Sequence, residues 1–313
     1  MLGKTANGLF WMFRNLERSE NTARLLDAGF RIALTRSSSE EDEWASILST
    51  TGSKTLYDQC YKVYDAPEVI DFLLRDPANP SSVSSLIDSA RNNARLVRTA
   101  LTREVWEATN ECWLTLKDIL SRPVAERELP QVLATIRQQS ALVRGALYGT
   151  MMRNDIYDFA RLGTHIERAD NTARILDVKY YVLLPSLSPI GSSLDNAQWE
   201  TILRSVSAQR GYRWLNQGDV NQIGIAEFLI KDGRMPRSLT FCYTQIVENL
   251  KYLEEGYGVT TPSHEIAAAT LGGLKSRAMS SIFESGLHEF FGEFISDNIR
   301  LGGQIEQDYR FNG

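Results

Sequence analysis

Three histidines and three cysteines are all that this sequence offers to metal or thiol chemistry. Cys60, Cys112 and Cys242 are odd in number, scattered and never spaced as CxxC. That excludes a disulfide framework and a structural zinc site and fits reduced thiols in a cytosolic protein. His165, His264 and His288 show none of the paired Glu-x-x-His spacing that helical bundles use for two metal ions, so no metal centre and no cofactor is expected. A positive surplus is missing too: the net charge is -5, which argues against a general nucleic-acid binder. No apolar run approaches the roughly 18 residues of a membrane span. The opening MLGKTANGLFWMFRNLER carries an apolar stretch too short for a secretory signal and runs straight into charge, so a soluble, cytoplasmic protein is expected. Also absent are a G-x-S-x-G elbow, a P-loop and a G-x-G-x-x-G turn. Nothing near the cysteines marks a lowered thiol pKa, so no catalytic cysteine stands out. From the residues alone no reaction can be named.

Sustained two-residue alternation is lacking as well, and helical spacing replaces it almost everywhere. Met12, Leu16, Ala23, Leu26 and Phe30 form one apolar seam, with Ser19 filling its gap. Leu162, Ile166, Ala169, Ala173, Leu176 and Tyr180 form a second. Further helices are predicted over 39–48 and 53–64, and from Pro67 with Asp65 as a cap. One long helix is predicted over 82–120, stopped by Ser121-Arg122-Pro123. The Gly-Gly pairs at 272–273 and 302–303 read as helix breaks. The fold class is all-α.

The chain also repeats itself. LERSENTARLLD (16–27) recurs as IERADNTARILD (166–177), with eight of twelve positions identical. Trp44-x-x-Ile47-Leu48 recurs as Trp199-x-x-Ile202-Leu203, FLLRDPANPSSV (72–83) as FLIKDGRMPRSL (228–239), and Asn93 aligns with Asn249. The offset drifts from 150 to 155 and 156, which fits a few extra residues in the loop 184–196. We read a duplicated helical unit, about 1–154 and 155–313, forming a single pseudo-two-fold bundle domain. Two copies are too few for a solenoid.

On a helical wheel the repeated motif separates its charges. Glu20 and Asp27 lie on one shoulder of the seam, Glu17 and Arg24 a little further round, Arg18 and Thr22 on the opposite flank, and Asn21 on the outer face. The second copy puts Glu167, Asp170, Arg174 and Asp177 on the polar shoulder, and Arg168 and Thr172 opposite. Glu20–Arg24 and Asp170–Arg174 stand at i and i+4, worth only about 0.2–0.5 kcal/mol each if exposed. That is too little to account for the repetition. Three readings remain open: a partly buried polar network that fixes how the halves pack, a ligand site in which arginines hold a carboxylate or phosphate and acids an amine or a metal, and ancestral similarity with no present role. Outside the motif, Arg91, Arg95 and Arg98 form a basic stripe that the second half does not share. It is either a solvated face or an anion-binding or docking site.

The tandem Glu-Arg helices, with R-x-x-A-R-x-V-R at 91–98 and E-V-W-E-x-x-N at 104–110, resemble the Alpha-E family of all-helical domains along essentially the whole chain. The family's Glu-Arg maps onto Glu17-Arg18 and Glu167-Arg168. Its related features map onto Glu20, Asn21 and Arg24 and onto Asp170, Asn171 and Arg174. A Gly-Arg often precedes the family's motif, and Phe13-Arg14 and Gly163-Thr164 each keep half of it. The resemblance implies a component of a bacterial peptide synthesis or modification system. Expected partners are a circularly permuted ATP-grasp ligase, a transglutaminase-like protease and a proteasome-related Ntn peptidase. It assigns the domain no activity of its own. The expected role is an accessory component that binds the ligase or its carboxylate-bearing substrate. The alternatives are an enzyme acting on amides with Glu17 and Glu167 as acid/base and Arg18 and Arg168 holding a carboxylate, and a purely structural scaffold.

Overall fold

The computed structural model describes residues 1–33, 40–182, 193–216 and 221–311. Those residues form fifteen α-helices and no strand. In chain order they are α1 (Gly3–Ala33), α2 (Glu40–Thr50), α3 (Lys54–Cys60), α4 (Ala66–Leu74), α5 (Val83–Leu96), α6 (Arg103–Ile119) and α7 (Leu129–Thr150). Then come α8 (Asp155–Val182), α9 (Ser193–Ser205), α10 (Gln209–Leu215), α11 (Gln222–Lys231) and α12 (Leu239–Tyr257). The chain closes with α13 (Pro262–Ser276), α14 (Met279–Ser285) and α15 (Leu287–Asp308). The proposed start of the second helix at Ser39, most of the loop 184–196 and the Tyr180 side chain lie outside the described residues.

The two longest helices, α1 and α8, carry the two motif copies and make the most extensive helix pair in the molecule. Their contacts join residues 149 to 153 apart, from Arg18–Glu167 to Arg14–Glu167, so the helices run parallel. Around them α1 packs on α5 and α7, and α8 on α12 and α15. One apolar core gathers Met12, Leu16, Ala23 and Leu26 with Trp44 and Leu48, and the other Ile166, Ala169, Ala173 and Leu176 with Trp199 and Leu203. The repeated tryptophans do equivalent work, each fully inside its core.

The repeated FLLRDPANPSSV and FLIKDGRMPRSL blocks have a local explanation. Asp76 accepts from the Ala78 N–H at 2.8 Å and Asp232 from the Arg234 N–H at 2.7 Å, closing a turn after α4 and after α11. Ser82 and Ser238 then accept from Ser85 and Phe241 as N-caps of α5 and α12. The Asp65 cap with Pro67 behind it also forms as the spacing predicts, accepting from the Glu68 N–H at 2.8 Å.

Three expectations fail, the first being the helix over 53–64, which stops at Cys60 where Tyr61 turns extended. The single helix over 82–120 is broken at Val97–Thr102 by a short 3-10 turn, Arg98–Ala100, and an extended Leu101. Thr102 caps a new helix, and α6 folds back on α5, held by Trp113 Nε1 donating to Asp88 and Arg91 Nε donating to Asn110. Val97 is thereby buried against α1 at Gly8, a contact that a straight helix would forgo. The Gly-Gly pairs do not break helices either, for 272–273 lies inside α13 and 302–303 inside α15. Packing overrides the propensity penalty of about 1 kcal/mol per glycine, and at Gly302 a side chain would crowd the Arg14 guanidinium, 3.2 Å from an added Cβ.

Gly163 sets how closely α1 and α8 approach. A Cβ there would stand 2.2 Å from the Phe10 carbonyl oxygen, an atom of the α1 backbone that cannot swing away. Gly163→Ala therefore destabilises the fold by about 1–3 kcal/mol despite alanine's better helix propensity. Gly272→Ala, which meets open space, stabilises it by about 0.5–1 kcal/mol. Urea unfolding of both variants checks the contrast, which reverses if the helices can part freely.

Candidate functional site

Across the α1–α8 contact the two Glu-Arg pairs exchange partners. Arg168 donates from Nε and Nη2 to the two oxygens of Glu17, at 3.0 and 2.8 Å. Reciprocally, Arg18 donates from Nε and Nη2 to the two oxygens of Glu167, at 2.6 and 2.8 Å. Each is a two-pronged guanidinium–carboxylate grip, the geometry in which arginine is strongest and lysine cannot substitute. Arg18 is thus not turned away from the other copy, as the wheel implied. The wheel locates the seam from one helix's apolar residues, and the flank it leaves polar is where α8 lies.

More arginines join. Arg14 adds a third contact to Glu167 at 3.0 Å. Glu17 also meets Arg237 at 3.0 Å and Arg144 at 3.5 Å. Glu20, fully buried, takes Arg24 at 2.7 Å, Arg237 at 2.8 Å and Arg144. Three glutamates are therefore surrounded by six arginines: Arg14, Arg18, Arg24, Arg144, Arg168 and Arg237. Burial alone would raise the Glu17 carboxyl, but Arg168, Arg237 and Arg144 overcome it and hold the group well below its usual value. Glu20 and Glu167 are lowered by the same contest. Burial pushes Arg237 down to about 10, with Glu17 pulling the other way and Arg168 and Arg24 adding to the fall. Near neutral pH these groups are carboxylates gripped by arginines, which does not fit Glu17 or Glu167 to the general acid/base role the sequence offered.

The two exchanges differ in surroundings. Glu17 and Arg168 are sealed, with side chains 1% and 9% exposed. Arg18 keeps 29% exposure and borders a cleft of about 240 Å³ between α1, α8 and the turn after α2. From the two motif copies this cleft is lined by Arg18, Asn21, Glu167, Asp170, Asn171 and Arg174, with Thr50, Thr51, Ser53 and Ser81 supplying hydroxyls. Arg174 donates to Asp170 at 2.6 Å on its edge. Asn21 and Asn171 occupy equivalent positions and are 3% and 5% exposed, yet the side-chain NH2 of each has no hydrogen-bond partner. Asn21 is not on an outer face: its Oδ1 accepts from Arg237 at 3.0 Å. Both NH2 groups are buried donors at matched positions beside the cleft, and Trp44, Gln139, Ser140 and His165 carry other buried polar atoms in the same state.

Of the motif residues, Glu17, Glu20, Arg24 and Arg168 lie behind this cleft rather than in it. Arg24 instead ties α1 to the end of α9, donating to the Ser205 carbonyl at 3.1 Å and the Ser207 hydroxyl at 2.8 Å. The stripe Arg91, Arg95 and Arg98 does not join the cleft. The Arg91 guanidinium lies over Trp113 at 4.0 Å and that of Arg98 over Trp106 at 5.1 Å, so two of the three are engaged by aromatic faces. Sequence reasoning missed Arg144 and Arg237. Arg237 sits between the retained Pro236 and Ser238, the one local signal, whereas nothing around Arg144 on α7 distinguishes it. Among the described residues no group of three or more His, Cys, Asp or Glu could hold a metal ion. No described helix is long and apolar enough to cross a membrane.

A family model described as a predicted alpha-helical domain with a conserved ER motif, Alpha-E, matches residues 1–309. The chain belongs to the Alpha-E family. Similar proteins include an uncharacterized protein of Mycobacterium bovis (strain ATCC BAA-935 / AF2122/97) and one of Mycobacterium tuberculosis (strain CDC 1551 / Oshkosh). Each is 23% identical over 282 residues, which covers 84% of this chain and 31% of the relative. The chain thus spans about a third of the length of the curated relatives it matches. No solved structure matches it. In this Alpha-E chain the repeated Glu-Arg pairs Glu17-Arg18 and Glu167-Arg168 are the ones that exchange ion bridges.

Glu17→Gln leaves Arg144, Arg168 and Arg237 facing one carboxylate fewer in a buried site, and costs about 3–5 kcal/mol of folding stability. The depressed carboxyls also set a pH dependence. A lowered folded-state pKa contributes stability that is fully present above the unfolded value, 4.5, and is lost as pH falls through the folded ones. Chemical denaturation is therefore flat in this respect above pH ~5.5 and weakens progressively below pH ~4.5. The slope is shallower in Glu17→Gln, and equal slopes would show that Glu17 is not held by its arginines.

Proposed function

We propose that this chain is a binding component, not the catalyst, of a bacterial ATP-grasp-linked system that makes or modifies peptide or amide bonds. It consists on this reading of two helical repeats about a pseudo-two-fold axis, with the cleft between the Glu-Arg helices as the place where a carboxylate-bearing substrate or the ligase's own acidic segment docks. The observation that carries the reading is the pair of buried Asn21 and Asn171 amides without acceptors, in a cleft walled by Arg18 and Arg174. A carboxylate supplies acceptors of the right number and charge. The arginine surplus behind the cleft favours an anion over a cation. An enzyme using Glu17 or Glu167 as acid or base is not favoured, because both are locked as carboxylates.

The test is co-expression with a circularly permuted ATP-grasp ligase encoded beside it, followed by affinity purification and a ligase turnover assay. Co-purification that drops in the Asn21→Ala/Asn171→Ala double variant, with melting unchanged or raised, is the expected result. Absence of a complex together with unaltered ligase turnover would overturn the proposal.

A further inference from the structure

A second cavity, of about 740 Å³, lies between the first turns of α8 and the C-terminal two-thirds of α12 and shares no lining residue with the Glu-Arg cleft. It holds two buried ionisable side chains that form no direct ion pair among the described residues, with Glu248 at its wall reached only through Gln245. Four arginines in the described part of the chain are buried: Arg14, Arg161, Arg168 and Arg237. Three of them grip a glutamate. Arg161, 6% exposed, forms no ion pair among the described residues. Its guanidinium donates to Gln245 Oε1 and lies 4.9 Å from the Tyr148 ring and 5.9 Å from the Tyr157 ring. Asp158, one turn earlier on the same face of α8, is 4% exposed, and its carboxyl makes no hydrogen bond or ion pair among the described residues.

Neither group is at ease. Burial, helped by Asp155, pushes the Asp158 carboxyl up to about 7. Burial, helped by Arg168, pushes the Arg161 guanidinium down to about 10 against the pull of Glu248 and Glu17. A helix that served packing alone would carry apolar residues at both positions, since uncompensated buried charge opposes folding. The volume is in the range of small-molecule sites, and the aromatic wall of Tyr157, Tyr252 and Tyr257 suits a partly apolar ligand.

We propose that this cavity is a separate binding site for a small ligand that carries a carboxylate and, some way from it, an amine or amide: amino-acid or short-peptide chemistry. The Arg161 fork takes the carboxylate, with Gln245 holding the guanidinium in plane. Asp158 accepts a hydrogen from the ligand's ammonium or amide N–H. Both groups gain on ligand binding a direct ionic partner that no neighbouring helix among the described residues brings within bonding distance. This goes beyond the role assigned to the Glu-Arg cleft and stands without it.

The experiment is ligand-observed NMR titration of the full chain with diglycine as probe, with propionate and ethylamine as probes lacking the amine or the carboxylate. Diglycine is expected to bind more tightly than either. Losing charge-assisted hydrogen bonds weakens its Kd at least about tenfold in Arg161→Met, and Asp158→Asn weakens diglycine while leaving propionate unchanged. If Arg161→Met does not fold, Arg161→Lys, which keeps the charge and loses the fork, is expected to fold and to show the weakening. No binding of diglycine, or binding unaltered in a folded Arg161 variant, overturns the site. So does loss of diglycine binding in Asn21→Ala/Asn171→Ala, because the probe then sits in the Glu-Arg cleft. Unchanged binding in that double variant supports two independent sites, whatever the outcome of the ligase experiment.

Discussion

The reciprocal grip of Glu17 by Arg168 and of Glu167 by Arg18 is the interaction on which the rest of the architecture depends. Apolar seams tolerate sliding by a turn, because one leucine packs much like another. A two-pronged carboxylate–guanidinium pair does not, since both hydrogen bonds are lost within an ångström or two. Two such pairs, crossed over, fix the register of α1 against α8 and their parallel sense together. Gly163 permits the approach by leaving room for the α1 backbone, and the two apolar cores are then built outward on either side of the pair.

Buried ion pairs seldom add net stability over an apolar replacement, because desolvation consumes most of the Coulomb gain. Their use here is specificity of assembly, and the surroundings bear this out. Glu20 and Arg24, which an isolated helix would use as a weak surface pair, are drawn inside, where Arg24 reaches the end of α9 and Glu20 gathers Arg144 from α7 and Arg237 from the α11–α12 turn. Elements distant in sequence are thus tied to one polar centre. The arginine surplus leaves that centre positive, and the neighbouring cleft inherits the field along with two amides that lack acceptors.

The site was legible in part. Glu17, Arg18, Glu20, Asn21, Arg24 and their second-copy counterparts stood out because a polar string repeated across half the chain needs a reason beyond surface pairing. Their partners were not legible. Periodicity orients a side chain relative to its own helix axis, and it put Asn21 outside and Arg18 aside because it has no knowledge of which neighbour arrives on the polar flank. The break at Val97–Thr102 was hidden for a related reason: Thr102 as a cap and Val97 as a plug against Gly8 become favourable only once α6 has α5 to fold back on. The Gly-Gly pairs misled in the opposite direction, since helix packing offsets a local propensity of about 1 kcal/mol per residue.

What the sequence by itself determined is the all-helical class, the two apolar seams and the cap at Asp65, with the family following from resemblance. The first three follow from spacing along the chain and from short-range hydrogen bonding. What only the tertiary structure decided is which charges meet. Glu17 and Arg168 are 151 residues apart, and no local rule sets one against the other. Nor could spacing reveal that three buried arginines find glutamates while Arg161 pairs directly with none. Countercharge is a property of the assembled interior, where water no longer screens and every unpaired group must answer to whatever the other helices bring.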